Sequence, residues 1–79
     1  MSSEVKQVNA FMKIAIRSEV NEMKDEILLT ELQEKIFHLR YEKHKTNDYI
    51  ADILGYSLPR IDQELKVIRK KIIKFMNRK

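Results

Sequence analysis

The chain has 79 residues, 43% of them hydrophobic and 35% charged, with a formal net charge of +4. That size fits one small domain, and the mix is too apolar for a disordered tail and too charged for a membrane protein. The absence of cysteine excludes disulfides and thiolate metal sites and fits a cytoplasmic protein. No apolar run nears the roughly 18–20 residues of a membrane span, and the first residues, Met-Ser-Ser-Glu, lack the basic and apolar regions of a secretion signal. A single glycine and a single proline leave almost no turn chemistry for hairpins. The expected class is all-α, with four helices.

The charge is unevenly spread. Residues 1–34 hold four Lys/Arg and seven Asp/Glu, whereas residues 35–79 hold twelve and five. A basic half joined to an acidic half points to a polyanionic partner for the former.

The first helix is expected over Ser3 to Leu28, long and amphipathic. Val5, Val8, Met12, Ala15 or Ile16, Glu19 or Val20, Met23 and Ile27 recur at steps of three and four, which makes one apolar stripe. Phe11 and Ile14 fall off it, so more than one face is expected to be buried. Residues 1–28 are therefore read as a packing or dimerisation helix acting through Val5, Val8, Met12, Ile16, Met23 and Ile27, with a homodimer expected. Residues 29–79 are read as a second unit.

Thr30-x-x-Gln33 is a capping box that opens a helix over about 31–43, with Leu32, Ile36, Phe37 and Leu39 inward. Lys43-His44-Lys45 breaks the pattern, and Thr46 or Asn47 can cap a short helix to Leu54. The only glycine and proline then lie four positions apart in Leu54-Gly55-Tyr56-Ser57-Leu58-Pro59. Gly55 stands where a helix end wants a left-handed residue, Ser57 where the next helix wants its cap, and Pro59 in that helix's first turn. Ile61, Leu65, Ile68, Ile72 and Phe75 or Met76 carry the last helix to about residue 76.

A short helix, a turn on glycine and a second helix make the helix-turn-helix layout. Ala51 is small where the two helices would cross, and Ile50, Leu54 and Ile61 are apolar where the unit would face its core. Glu64 takes a place that is often apolar. With the preceding helix included, Leu29-x-x-Leu-Gln-Glu-Lys-Ile36-Phe37-x-Leu39-Arg40-Tyr41 followed by Thr46-x-x-Tyr-Ile50-Ala51-x-x-Leu54-Gly55-x-Ser57-x-x-x-Ile61 resembles region four of bacterial sigma factors. It is also similar to the sigma-like small regulators of phages and mobile elements. The resemblance covers about residues 29–75 and implies a DNA-binding transcriptional regulator that reads the major groove and touches RNA polymerase. The chain departs from the family at Tyr49, where Glu is usual, and at Leu58, Pro59 and Asp62 on the reading helix.

Base edges demand paired donors and acceptors, and phosphates demand cations. Arg60, Gln63 and Asp62 project from the first turns of the last helix, with Arg suited to guanine, Gln to adenine and Asp to cytosine. Lys43, Lys45, Thr46 and Asn47 stand where phosphate contacts are made in such folds, and Lys66, Arg69 and Lys70 continue along the backbone. Double-stranded DNA is thus the expected partner. The alternative is a protein-binding module on the same scaffold, a polymerase-associated regulator or inhibitor that reads no bases, favoured by Pro59, Asp62 and the acidic N-terminal segment. His38 and Glu42 share a helix face, but two ligands do not make a metal site. No Ser/His/Asp set, glycine-rich phosphate loop or pair of inward carboxylates occurs, so no enzymatic activity, cofactor or small-molecule substrate is expected.

Overall fold

In a computed structural model that describes residues 3–77, every regular element is helical: α1 Ser3–Ile14, α2 Arg17–Ile27, α3 Glu31–Phe37 continued by a π-helical turn His38–Glu42, α4 Asn47–Leu54 and α5 Leu58–Asn77. The class is all-α, with five α-helices where the sequence pattern predicts four. Among the described residues no helix is long and apolar enough to cross a membrane. Two compact units are present. One combines the chain up to Leu28 with the residues from Arg69 onward, and the other is Leu29–Ile68.

The long N-terminal helix expected over Ser3–Leu28 is broken. The α1 ladder ends where Ala15 N donates to Phe11 O at 2.9 Å, and the α2 ladder begins where Val20 N donates to Ile16 O at 3.1 Å. Ile16 between them is extended, with φ −79° and ψ 162°. Glu19 Oε1 reaches back to accept from Ile16 N at 3.5 Å, a weak half of a capping box, because isoleucine has no acceptor to supply the other half. A straight helix over these residues would run about 38 Å, longer than a domain of this size needs to close a core. Broken, each half buries its own apolar residue: Val8 on α1 and Met23 on α2 are both fully enclosed. Val5, Met12 and Ile27 are half-buried. Ile16 is the correction to the expected stripe, since the break leaves it 61% exposed.

In the same unit Ile72 and Phe75 supply buried surface from α5. Phe11 meets the Phe75 ring edge-on, centroids 6.4 Å apart and planes at 82°, an arrangement favoured by the ring quadrupole. α2 ends on Leu28 in the left-handed region, φ 51°, and Lys71 Nζ donates to the Leu28 carbonyl at 3.2 Å, which satisfies one of the acceptors a helix end leaves open.

The unit Leu29–Ile68 has its core in Ile36, Phe37, Ile50, Ala51, Ile61, Leu65 and Ile68, all buried. The capping box that opens α3 is complete: Gln33 N donates to Thr30 Oγ1 at 3.1 Å and Thr30 N to Gln33 Oε1 at 3.2 Å. The π turn that follows closes through Lys43 N to His38 O at 3.0 Å, a step of five that admits one extra residue into the helix. The Phe37 and Tyr41 rings meet there at a tilt of 47°, centroids 5.1 Å apart. His44, at φ 57°, turns the chain out of the helix, and Thr46 Oγ1 caps α4 by accepting from Tyr49 N at 3.2 Å.

Gly55 ends α4 at φ 75° and ψ 29°, and Tyr56 N bonds back to Ala51 O at 3.0 Å, the six-to-one bond of a Schellman closure. Ser57 Oγ then accepts from Arg60 N at 3.3 Å to open α5. A Cβ placed on Gly55 would meet nothing within 4 Å, so the glycine is required by backbone conformation and not by space. Gly55→Ala should therefore lower stability by about 1–2 kcal/mol, the cost of an L-residue in the left-handed region. Ala51→Leu, at a position 7% exposed, should cost about 1–3 kcal/mol by overpacking. Thermal or urea unfolding of both variants checks the placement of the turn, which an unchanged midpoint for either would contradict.

Candidate functional site

The site is described within the unit Leu29–Ile68. The first turns of α5 face outward through residues that precede its buried Ile61 or lie between Ile61 and the buried Leu65. Leu58, Pro59, Arg60, Asp62 and Gln63 are exposed there. Three of these were expected to meet base edges, and their surroundings differ.

Gln63 is open: it is exposed and makes no side-chain hydrogen bond among the described residues. Arg60 is held on two sides. Its Nε donates to Glu64 Oε2 at 3.1 Å, and its guanidinium lies 5.4 Å from the centroid of the Tyr56 ring, within reach of a cation–π attraction. Asp62 accepts from Asn47 Nδ2 at 2.9 Å, a bond that ties the start of α4 to the start of α5. Asn47 is half-buried, and its Oδ1 is enclosed without a hydrogen-bond partner.

Glu64, the residue out of keeping with the usual pattern, has a definite task. Its Oε1 accepts from Gln33 Nε2 at 3.0 Å while its Oε2 takes Arg60. Gln33 is only 5% exposed, so its amide must be satisfied inside the fold. Sequence reasoning gives Gln33 only its role as a cap and misses this link, because the two residues stand 31 positions apart. The one available signal is a carboxylate in an apolar register, which calls for a donor.

The expected phosphate-binding residues are arranged as follows. Lys43, Lys45 and Thr46 are exposed at the start of α4, and Lys66 is exposed on α5. Lys45 Nζ lies 5.1 Å from the centroid of the Tyr49 ring. An open groove here is lined by Arg40, His44, Lys45, Thr46, Asn47, Asp48, Leu58 and Asp62. Arg40 and His44 thus line the site beside Lys45, though sequence reasoning names neither as a phosphate contact. Arg69 and Lys70 belong to the other unit, where Lys70 is exposed and Arg69 half-buried.

His38 Nδ1 and Glu42 Oε2 are 3.3 Å apart, a local helix pair, and no group of three metal-ligating side chains occurs among the described residues. No protein-family model, curated protein or solved structure matches the chain.

These surroundings separate structural from exposed polar groups. Gln33→Ala removes the reciprocal half of the capping box, the bond from Thr30 N, and takes the buried Gln33 donor from Glu64, and should cost about 1–3 kcal/mol. Gln63→Ala should stay within about 0.5 kcal/mol of the parent, as exposed substitutions do. Equilibrium urea unfolding of the two variants reads the difference, and equal losses would contradict the assignment of Gln33 as the buried tie.

Proposed function

We propose that the protein is a small helix-turn-helix regulator of transcription that binds duplex DNA in the cytoplasm, with the first turns of α5 in the major groove. The observation that carries this reading is the junction of α4 and α5. A short helix ends on a left-handed glycine, its Ala51 is buried, and a serine-capped second helix presents an exposed polar opening. The same residues carry the resemblance to region four of sigma factors, which supports a regulator of the phage or mobile-element kind with RNA polymerase as a further partner.

On this reading Gln63 reads bases directly. Arg60 reads them after exchanging Glu64 for a guanine edge, and Asp62 acts as an acceptor or through its bond to Asn47. Lys43, Lys45, Thr46 and Lys66 take phosphates, with Asn47, Arg69 and Lys70 as further contributors. About four to six phosphate contacts give a slope of log K against log salt near −4 to −5. A titration of random duplex at several salt concentrations measures it, and a flat response or no binding at low salt would defeat the proposal. On a site selected from random DNA, Gln63→Ala should cost about 1–3 kcal/mol and relax one or two base positions, while random-sequence affinity stays nearly constant. Lys70→Ala should weaken all sequences alike and lower the slope by about one.

A second reading rests on α4. Tyr49 and Ile53 are 43% and 56% exposed, and Asp48 and Asp52 are exposed beside them. An apolar pair flanked by carboxylates suits a basic protein partner and repels a phosphate backbone. If Gln63→Ala and Arg60→Ala keep full activity in cells while Ile53→Ala abolishes it, the protein-binding module replaces the reader.

A further inference from the structure

We propose that the unit built from α1, α2 and the end of α5 forms a homodimer in which Ile14 of each copy enters an apolar groove of the other. The groove is open, about 480 Å³ in volume, and lined by Ala10, Phe11, Ile14, Phe75 and Met76 together with Gln7 and Glu19. Ile14 is 82% exposed and Ile16 61% exposed, so the break between α1 and α2 leaves two large β-branched side chains in water, and Ile14 lines the apolar groove itself. Isolated exposed apolar residues are ordinary, but a contiguous patch with a concave centre marks a contact surface.

Three features select a second copy of this chain as the occupant. The projecting residue and the slot lie side by side on the same unit, so a two-fold axis between two copies fills both slots at once and closes the assembly at two. The charges around them are also self-complementary. Glu19 stands on the groove, whereas Lys13 and Arg17, both exposed, bracket the isoleucines. Seating Ile14 in a partner's groove therefore carries cations toward a carboxylate in both directions, which favours this pairing over an uncharged or wholly acidic guest. Finally, the original stripe is not available for the purpose, because Val8 and Met23 are fully buried within the chain itself. The contact falls to the Phe11 and Ile14 side, off that stripe.

No part of this dimer depends on DNA binding, and its test contains no DNA. Size-exclusion chromatography with light scattering over a concentration series should give a mass approaching twice 9.5 kDa. Ile14→Glu should return the chain to a monomer, with dissociation at least tenfold easier and helical circular dichroism unchanged, since the side chain is exposed in the single copy. Ile14→Leu should keep the dimer. Ile53→Glu, which alters an exposed residue of the other unit, should keep it as well. A wild-type chain that is monomeric at every concentration overturns the proposal, as does a dimer that survives Ile14→Glu or is lost in Ile53→Glu. Native mass spectrometry that finds a monomer with a co-purified apolar small molecule assigns the groove to that ligand instead and equally overturns it.

Discussion

The side chain of Gln33 is the polar constraint on which the unit Leu29–Ile68 depends. An amide buried to this degree must place both its donor and its acceptor, or folding loses the full cost of desolvating them. Gln33 does so in two directions: its carbonyl closes the cap of α3 on Thr30 N, and its amide nitrogen donates to Glu64 on α5. The bond to Glu64 ties α5 to this rotation about its axis. Ile61, Leu65 and Ile68 are thereby held in the core, and Gln63 is left facing out. Glu64 in turn holds Arg60, so a single buried amide reaches, through one carboxylate, the most basic residue of the candidate site.

The distribution of charge places a different constraint on function. The unit Leu29–Ile68 contains six Lys/Arg and seven Asp/Glu, while residues 69–79 contain six Lys/Arg and no acid. The charge excess of the basic half thus lies mostly beyond Ile68, on the later turns of α5, and not at the α4–α5 junction that resembles a DNA reader. Beside that junction Arg40, His44 and Lys45 line the groove at the start of α4. Asp48 and Asp52 lie on its exposed flank. Asp48 and Asp62 line the same groove, so a polyanion meets attraction and repulsion there together.

Local chemistry was legible in the sequence, and contacts between distant residues were not. Thr30-x-x-Gln33, the triplet of Gly55, Ser57 and Pro59, and the spacing of Ile61, Leu65, Ile68 and Ile72 each act within one or two turns, and each element they predict is present. The break at Ile16 carries no such mark. Neither glycine nor proline stands there, Ile16 cannot cap through its side chain, and the apolar residues keep their step of three and four across the gap, so periodicity reads straight through it. The π turn at His38–Glu42 is hidden for a similar reason: one additional residue per turn shifts a pattern without erasing it. Glu64 looked like a defect because its donor, Gln33, lies on another helix.

On the DNA reading, these facts divide the work between residues in a particular way. Arg60 meets duplex already paired with Glu64 and resting on Tyr56. It gives little unopposed charge to the long-range field, and any base contact must first displace a carboxylate. Asp62 is engaged by Asn47 and is itself an anion. Gln63 alone is neutral, exposed and unengaged, and an amide can pair with a base edge without releasing counterions. Sequence preference would then come from a residue that adds almost nothing to general affinity, while general affinity would come from lysines that read nothing. A protein built in this way holds DNA weakly through each copy, and joining two copies raises affinity without any new contact to the duplex. The exposed isoleucines at the break between α1 and α2 and the near-neutral reading unit are, on this view, two sides of one design: the unit that lacks charge for tight binding is carried by a second unit equipped to bring a partner.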